Sequence, residues 1–162
     1  MTVDTKQTIK IISGGQTGVD RAALDAALAE GVSVGGWCPT GRRAEDGVIP
    51  KEYPLREMPG PGYSERTRQN VIGSDGTIIV YFNSLSGGTE KTHRFCVSEQ
   101  KPCVLIDAAV TTEAMAIPQL ATFIKNHEIR VLNVAGPRAS NAPQAYAYSF
   151  KVVSGLLQSM RY

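Results

Sequence analysis

Apolar residues fall along the chain in two kinds of block. Short continuous runs read as buried parallel strands: Ile9–Ile12, Val32–Gly36, Thr77–Phe82, Val104–Ile106 and Val131–Val134. Longer blocks read as helices: Val19–Glu30, Tyr63–Gly73, Glu90–Glu99, Thr112–Asn126 and Pro143–Met160. In the first helix Ala22, Ala23, Ala26 and Ala27, with Leu24 and Leu28 one turn apart, suit close packing on a sheet, and Gly31 stops it. Ser64 is placed to cap the second helix. Pro118 either opens a second piece of the fourth helix or kinks it. Residues 1–7 read as a loose start.

One segment follows neither pattern. Trp37–Gly62 (WCPTGRRAEDGVIPKEYPLREMPGPG) sustains no period of 2 or 3.6. A loop this long inside a domain usually carries function or is disordered. Its Trp37, Tyr53, Leu55 and Met58 predict an ordered, packed loop.

The order of elements is β-α-β-(loop)-α-β-α-β-α-β-α. That order predicts one α/β domain over residues 1–162, with an open, doubly wound parallel sheet and helices on both faces. Ligands of such sheets bind beyond the carboxyl ends of the strands. Three strands here run into glycine-rich or polar loops followed by helix starts: Ser13–Gly18, Asn83–Thr89 and Ala135–Asn141. All three are expected at one edge of the sheet.

Composition narrows the class. A formal charge of +2 is too small to imply nucleic acid or an anionic membrane surface. No run approaches the roughly 18 apolar residues of a membrane span. The polar N-terminus lacks the apolar centre of a signal peptide. Three scattered cysteines, Cys38, Cys96 and Cys103, argue against a disulfide framework and fit a reducing cytoplasm. Cys38 reads as a packed residue, and His93 and His127 are isolated, without zinc spacing. There is no G-x-S-x-G elbow.

The loops carry the candidate chemistry. In Ser13-Gly14-Gly15-Gln16-Thr17-Gly18, glycines allow close backbone approach, and the following helix offers unpartnered N–H groups at the positive end of its dipole. The pattern is neither a Walker loop nor G-x-G-x-x-G. Asn83 opens the second loop, and Ser86-Gly87-Gly88-Thr89-Glu90 closes it with N–H groups and hydroxyls for a phosphate. The third loop places Arg138 beside Ser140 and Asn141, and a guanidinium fork suits a phosphate or carboxylate. Each loop taken singly also reads as a capped turn, with Thr89, Ser140 or Asn141 as the cap. Arg66 and Asn70 share one face of the second helix, which by spacing alone is equally a solvated face. Arg42, Arg43, Glu45 and Asp46 form a mixed cluster of the kind that is usually solvated.

GGQTGVDRAALDAAL, GGWCPTGRRAEDGVIPKEYPL, SERTRQNVIGSDGTIIVY and SGGTEKT together resemble the molybdenum cofactor carrier family, from about Ile9 to about Ala139. That family is similar in turn to the lysine-decarboxylase-like, or LONELY GUY, superfamily of Rossmann-like nucleotide binders. The cytokinin-activating members of that superfamily carry E-R-K, an Asp opening the next strand, and P-G-G-x-G-T-x-x-E. Here Glu65-Arg66-Thr67, Asp75 and Ser86–Glu90 match in part. Lys is replaced by Thr67, the x-G before the threonine is missing, and the acid follows the threonine directly.

The resemblance implies a phosphate cradle without the hydrolytic arrangement, and makes Arg66 a ligand contact. It implies a carrier that stores, protects or delivers molybdenum cofactor, with molybdoenzyme apoproteins as recipients and a dimer or tetramer as the assembly. Two alternatives stand beside it: a nucleotide or nucleotide-sugar sensor, and a nucleoside-monophosphate N-glycosidic hydrolase using Arg66 with Glu90 or Asp20 as its carboxylate.

Overall fold

The computed structural model describes residues 9–60 and 62–161, so the expected loose start lies outside the described residues. Five strands form a parallel sheet: β1 (Lys10–Ile12), β2 (Ser33–Gly35), β7 (Gly76–Tyr81), β8 (Cys103–Asp107) and β9 (Val131–Ala135). Their order is β2-β1-β9-β7-β8. β9 therefore joins two halves, pairing Ile11 with Leu132 on one side and Ile78 with Val134 on the other. The inner residues of β7 are buried without alternation, as in a strand covered on both faces.

Five helices cover the sheet: α1 (Val19–Ala29), α2 (Ser64–Ile72), α3 (Gly87–Ser98), α4 (Glu113–Asn126) and α5 (Ala145–Ser159). The chain moves one way across the sheet from β1 to β2 and from β8 to β9, and the other way from β2 to β7 and β7 to β8. Right-handed crossovers then put α1 and α4 on one face and α2 and α3 on the other. The packing agrees, because α5 contacts both α1 and α4 while α2 contacts α3. The result is the Rossmann-like, doubly wound α/β architecture expected from the alternation of elements.

In α1 Ala22, Ala23, Leu24, Ala26 and Ala27 are fully buried, but Leu28 is 43% exposed and contributes little to the packing assigned to it. Gly31, at φ 69°, ends the helix: its N–H donates to Leu28 O and that of Val32 to Ala27 O, a Schellman stop. α2 begins on the residue expected to cap it: Tyr63 holds the cap position, and Ser64 is the first helical residue, its hydroxyl accepting from Lys91 Nζ at 2.8 Å. α4 runs unbroken through Pro118, which excludes the second-piece reading. Ala114 and Pro118 are both exposed, so water can reach the carbonyl that proline leaves without a donor.

The long loop is ordered by two small ladders. β3 (Trp37–Cys38) pairs with β6 (Arg56–Glu57), and β4 (Arg43–Ala44) forms a hairpin with β5 (Gly47–Val48). Two-residue strands are too short to display a period. Cys38, Ile49, Tyr53 and Leu55 are buried in the main core. Arg42, in the left-handed region at φ 54°, turns inward and donates to the carbonyls of Ile49, Pro50, Tyr53 and Leu55 at 2.8–3.1 Å. Arg42 is thus the hub of the loop rather than part of a solvated cluster. Tyr53 also donates to Asp25 at 2.5 Å, tying the loop to α1.

Candidate functional site

Because β1, β7 and β9 are parallel, the loops that follow them meet at one edge of the sheet. A cleft of about 670 Å³ opens there, and all three strand-end loops, α2 and the long loop contribute to it.

The first loop is closed on itself. Asp20, in the first turn of α1, folds its carboxylate back so that Oδ2 accepts from Gln16 N at 3.3 Å. Gln16 Oε1 accepts from the N–H of Thr17 at 3.0 Å and of Glu45 at 2.8 Å. Val19 N donates to Pro137 O at 3.3 Å. The donors expected to cradle a ligand are therefore largely engaged within the protein. Gly18 shows why it is glycine: at φ 79°, a Cβ would stand 2.4 Å from Pro137 O. Gln16 and Asp20 face the cleft, whereas Gly15, Thr17 and Gly18 are not among its lining residues.

Above this loop lies Arg66. Its Nη1 is 3.7 Å from Asp20 Oδ2, the side chains being 14% and 8% exposed. Its Nε is buried without a hydrogen-bond partner. Burial pushes the Asp20 carboxyl up to about 6, against the pull of Arg66 and the loop N–H groups. Below the pair, Gly14, Asn70, Thr92 and Asn133 line a niche of about 10 Å³, the size of one water. Asn70 contributes chiefly by holding Trp37, accepting from its N–H at 2.8 Å and donating to its carbonyl at 2.9 Å.

The third loop is organised by a residue from the long loop. Glu45 Oε1 accepts from Thr17 Oγ1 and from Ser140 N at 3.1 Å, and Oε2 from Ser140 Oγ at 2.5 Å. Arg138 Nε lies 3.7 Å from the same carboxylate. The hydroxyls of Ser140 and Thr17, in that order, hold the Glu45 carboxyl below its usual range. Asp46 is likewise held low by Arg21, which pairs with it at 3.0 Å. Glu45 and Asp46 therefore fasten the long loop to the site.

The second loop is different. α3 begins at Gly87, three residues before the expected start, so Gly87, Gly88 and Thr89 form its first turn. Thr89 is not its cap: Ser86 holds that position, without a side-chain capping bond. Ser86, Gly87 and Gly88 are exposed, all four residues line the cleft, and a Cβ on either glycine would meet nothing within 4 Å. The positive end of a 12-residue helix is thus presented open to the cleft. Asn83 is not part of this wall; at φ 70° its N–H donates to Asp107. Glu90 is also absent from the lining and pairs with Arg94 at 2.6 Å.

Tyr63, Phe82 and Thr92 complete the cleft and were not singled out by their sequence context. Tyr63 is 54% exposed at its rim. Cys38 is buried, which pushes its thiol up and away from reactivity. Among the described residues no group of three or more His, Cys, Asp or Glu side chains could hold a metal ion, and no helix is long and apolar enough to cross a membrane.

Fold and cleft define a Rossmann-like protein with a candidate ligand cleft at the carboxyl edge of its sheet. The profile of the circularly permutated YpsA SLOG family matches residues 11–157, and the chain belongs to that family. It is also similar to a crystal structure from Syntrophus aciditrophicus SB described as a "putative molybdenum carrier protein". The two share 44% identity over 93% of this chain and 96% of the other, with a TM-score of 0.90. The resemblance drawn from the motifs is therefore borne out. No curated protein matches the chain.

Proposed function

We propose that the chain is a carrier that binds the molybdenum cofactor through its terminal phosphate, shields it and passes it to apoenzymes. The observation that carries this reading is the start of α3. It is an exposed, uncapped helix end with two glycines, in the same cleft as the largely buried cation Arg66. Ser86, Gly87, Gly88 and Thr89 would hold the phosphate, with Arg66 adding charge. Tyr63 and Phe82 offer aromatic surface for a flat pterin. The long loop, rooted by Arg42 and the buried Ile49, supplies the opposite wall. The similarity to a protein named for molybdenum carriage supports the choice of cargo. An assembly of two or four chains belongs to the same reading.

The test is co-expression with the cofactor's biosynthetic pathway, followed by purification and assay for molybdenum and oxidised pterin fluorescence. About one cofactor per chain is expected, falling at least about tenfold in Arg66→Ala. Purified protein that neither retains the cofactor nor slows its oxidation sinks the proposal.

A further inference from the structure

We propose that Thr17, Arg138 and Ser140 form a second oxyanion subsite beside this cleft, separated from it by Glu45, built for a tetrahedral dianion and filled by Glu45 until such a ligand arrives. This rests on the reading of the cleft as a site for anionic cargo, but not on the pterin. The subsite is visible because it already holds an oxyanion. Two hydroxyls, one backbone N–H and a guanidinium converge on the Glu45 carboxylate. That mixture of neutral donors and one cation is the kind that binds phosphate-like groups. The neighbouring acid Asp46 is turned away onto Arg21 at 3.0 Å, so Glu45 supplies the local negative charge.

Glu45 is also placed to leave. It sits on the β4–β5 hairpin, whose root is fixed by Arg42 and the fully buried Ile49. Beyond that root no large apolar side chain anchors the hairpin: Val48 is 72% exposed and a Cβ on Gly47 would meet nothing within 4 Å. Apart from the half-buried Ala44, the hairpin is held by polar contacts from Glu45, Asp46 and the Glu45 N–H to Gln16. Asp20, the other internal anion, has no such freedom, being buried in α1. A dianion brings more charge to the same donors than a carboxylate does, which works against the advantage Glu45 holds as a tethered group. The hairpin would then open as cargo enters, coupling occupancy of the subsite to the position of the loop.

The experiment titrates inorganic phosphate and, separately, molybdate into the wild type, Glu45→Gln and the double variant Glu45→Gln/Ser140→Ala by calorimetry. Glu45→Gln is expected to bind at least one of the two about tenfold more tightly than wild type, and the double variant to lose that gain. The oxyanion that gains more identifies the class of ligand group. No gain in Glu45→Gln, or a gain that survives Ser140→Ala, overturns the subsite. Amide exchange on the wild type gives a second reading that does not depend on a variant folding. Residues 43–48 must lose protection at saturating oxyanion, and unchanged exchange overturns the displacement. Cofactor retention without a gain in Glu45→Gln defeats this inference alone. A gain without cofactor retention defeats the carrier reading alone.

Discussion

Gly14 and Arg66 occupy one another's space: a Cβ on residue 14 would lie 1.9 Å from Arg66 Nη1 and 2.6 Å from its Cζ. The clash is with the far end of a flexible side chain, so Gly14→Ala is expected to fold and to displace the guanidinium. Ligand affinity should fall at least about tenfold with only a modest change in melting temperature. Affinity equal to wild type would show that Arg66 does not act at the site.

Asp20 makes stability fall as pH rises. Its folded value, about 6, lies above the ordinary 3.8, so between the two the folded state holds the proton more often than the unfolded state. The cost is absent below the ordinary value and complete above about 6, reaching about 3 kcal/mol at neutral pH. Asp20→Asn removes this titration. Denaturant unfolding at pH 4 and pH 7.5 should show wild type losing stability relative to the variant as pH rises. Parallel profiles would mean that the acid is paired well enough to offset its burial.

At α3, stability and binding should part company. Gly88→Asp sets a carboxylate in the open first turn, where the dipole favours it by about 0.5 kcal/mol. The same carboxylate repels a phosphate, so affinity should drop about tenfold or more. A rise in both quantities would place the phosphate elsewhere.

Glu90 provides the control for the hydrolytic alternative. Paired with Arg94 outside the cleft, it should tolerate Glu90→Ala with a loss of less than about 1 kcal/mol and unchanged ligand binding. Release of base from nucleoside monophosphates that disappears in this variant would revive the hydrolase reading.

Arg42 should prove the weak point of the long loop. Arg42→Ala leaves four carbonyls without their common donor and is expected to cost on the order of 2 kcal/mol. Limited proteolysis should then cut at Arg43 or Lys51, and Arg42→Lys should not restore protection, since an ammonium lacks the fork. An intact loop in Arg42→Ala would assign its order to Ile49, Tyr53 and Leu55 alone.

Local patterns announced the sheet. Each main strand is a short apolar run, and Gly31 ended its helix as a left-handed stop should. The start of α3 has no local signal because glycine is a poor helix former, and Gly87-Gly88 reads as loop until tertiary context overrides propensity. Glu45 was hidden for another reason. Its partners Thr17 and Ser140 stand 28 and 95 residues away, and no local spacing records such a bond. Arg66 announced itself only by resemblance, since what sets it apart is burial over Gly14. Arg42 gave no signal beyond its charge, because its work is done at φ 54° against carbonyls.

The strand order has a consequence for the life of the chain on the ribosome. Neither β1 nor β2 pairs with β7 or β8, and β9, made after all of them, supplies the bonds that unite the halves. β9 also delivers the loop that seats against Gly18 and Glu45. Until it is synthesised and inserted, the nascent protein has two short ribbons and no cleft between them. The cleft is therefore a late product of folding: the three strand-end loops can meet only once β9 and the loop after it have joined the sheet.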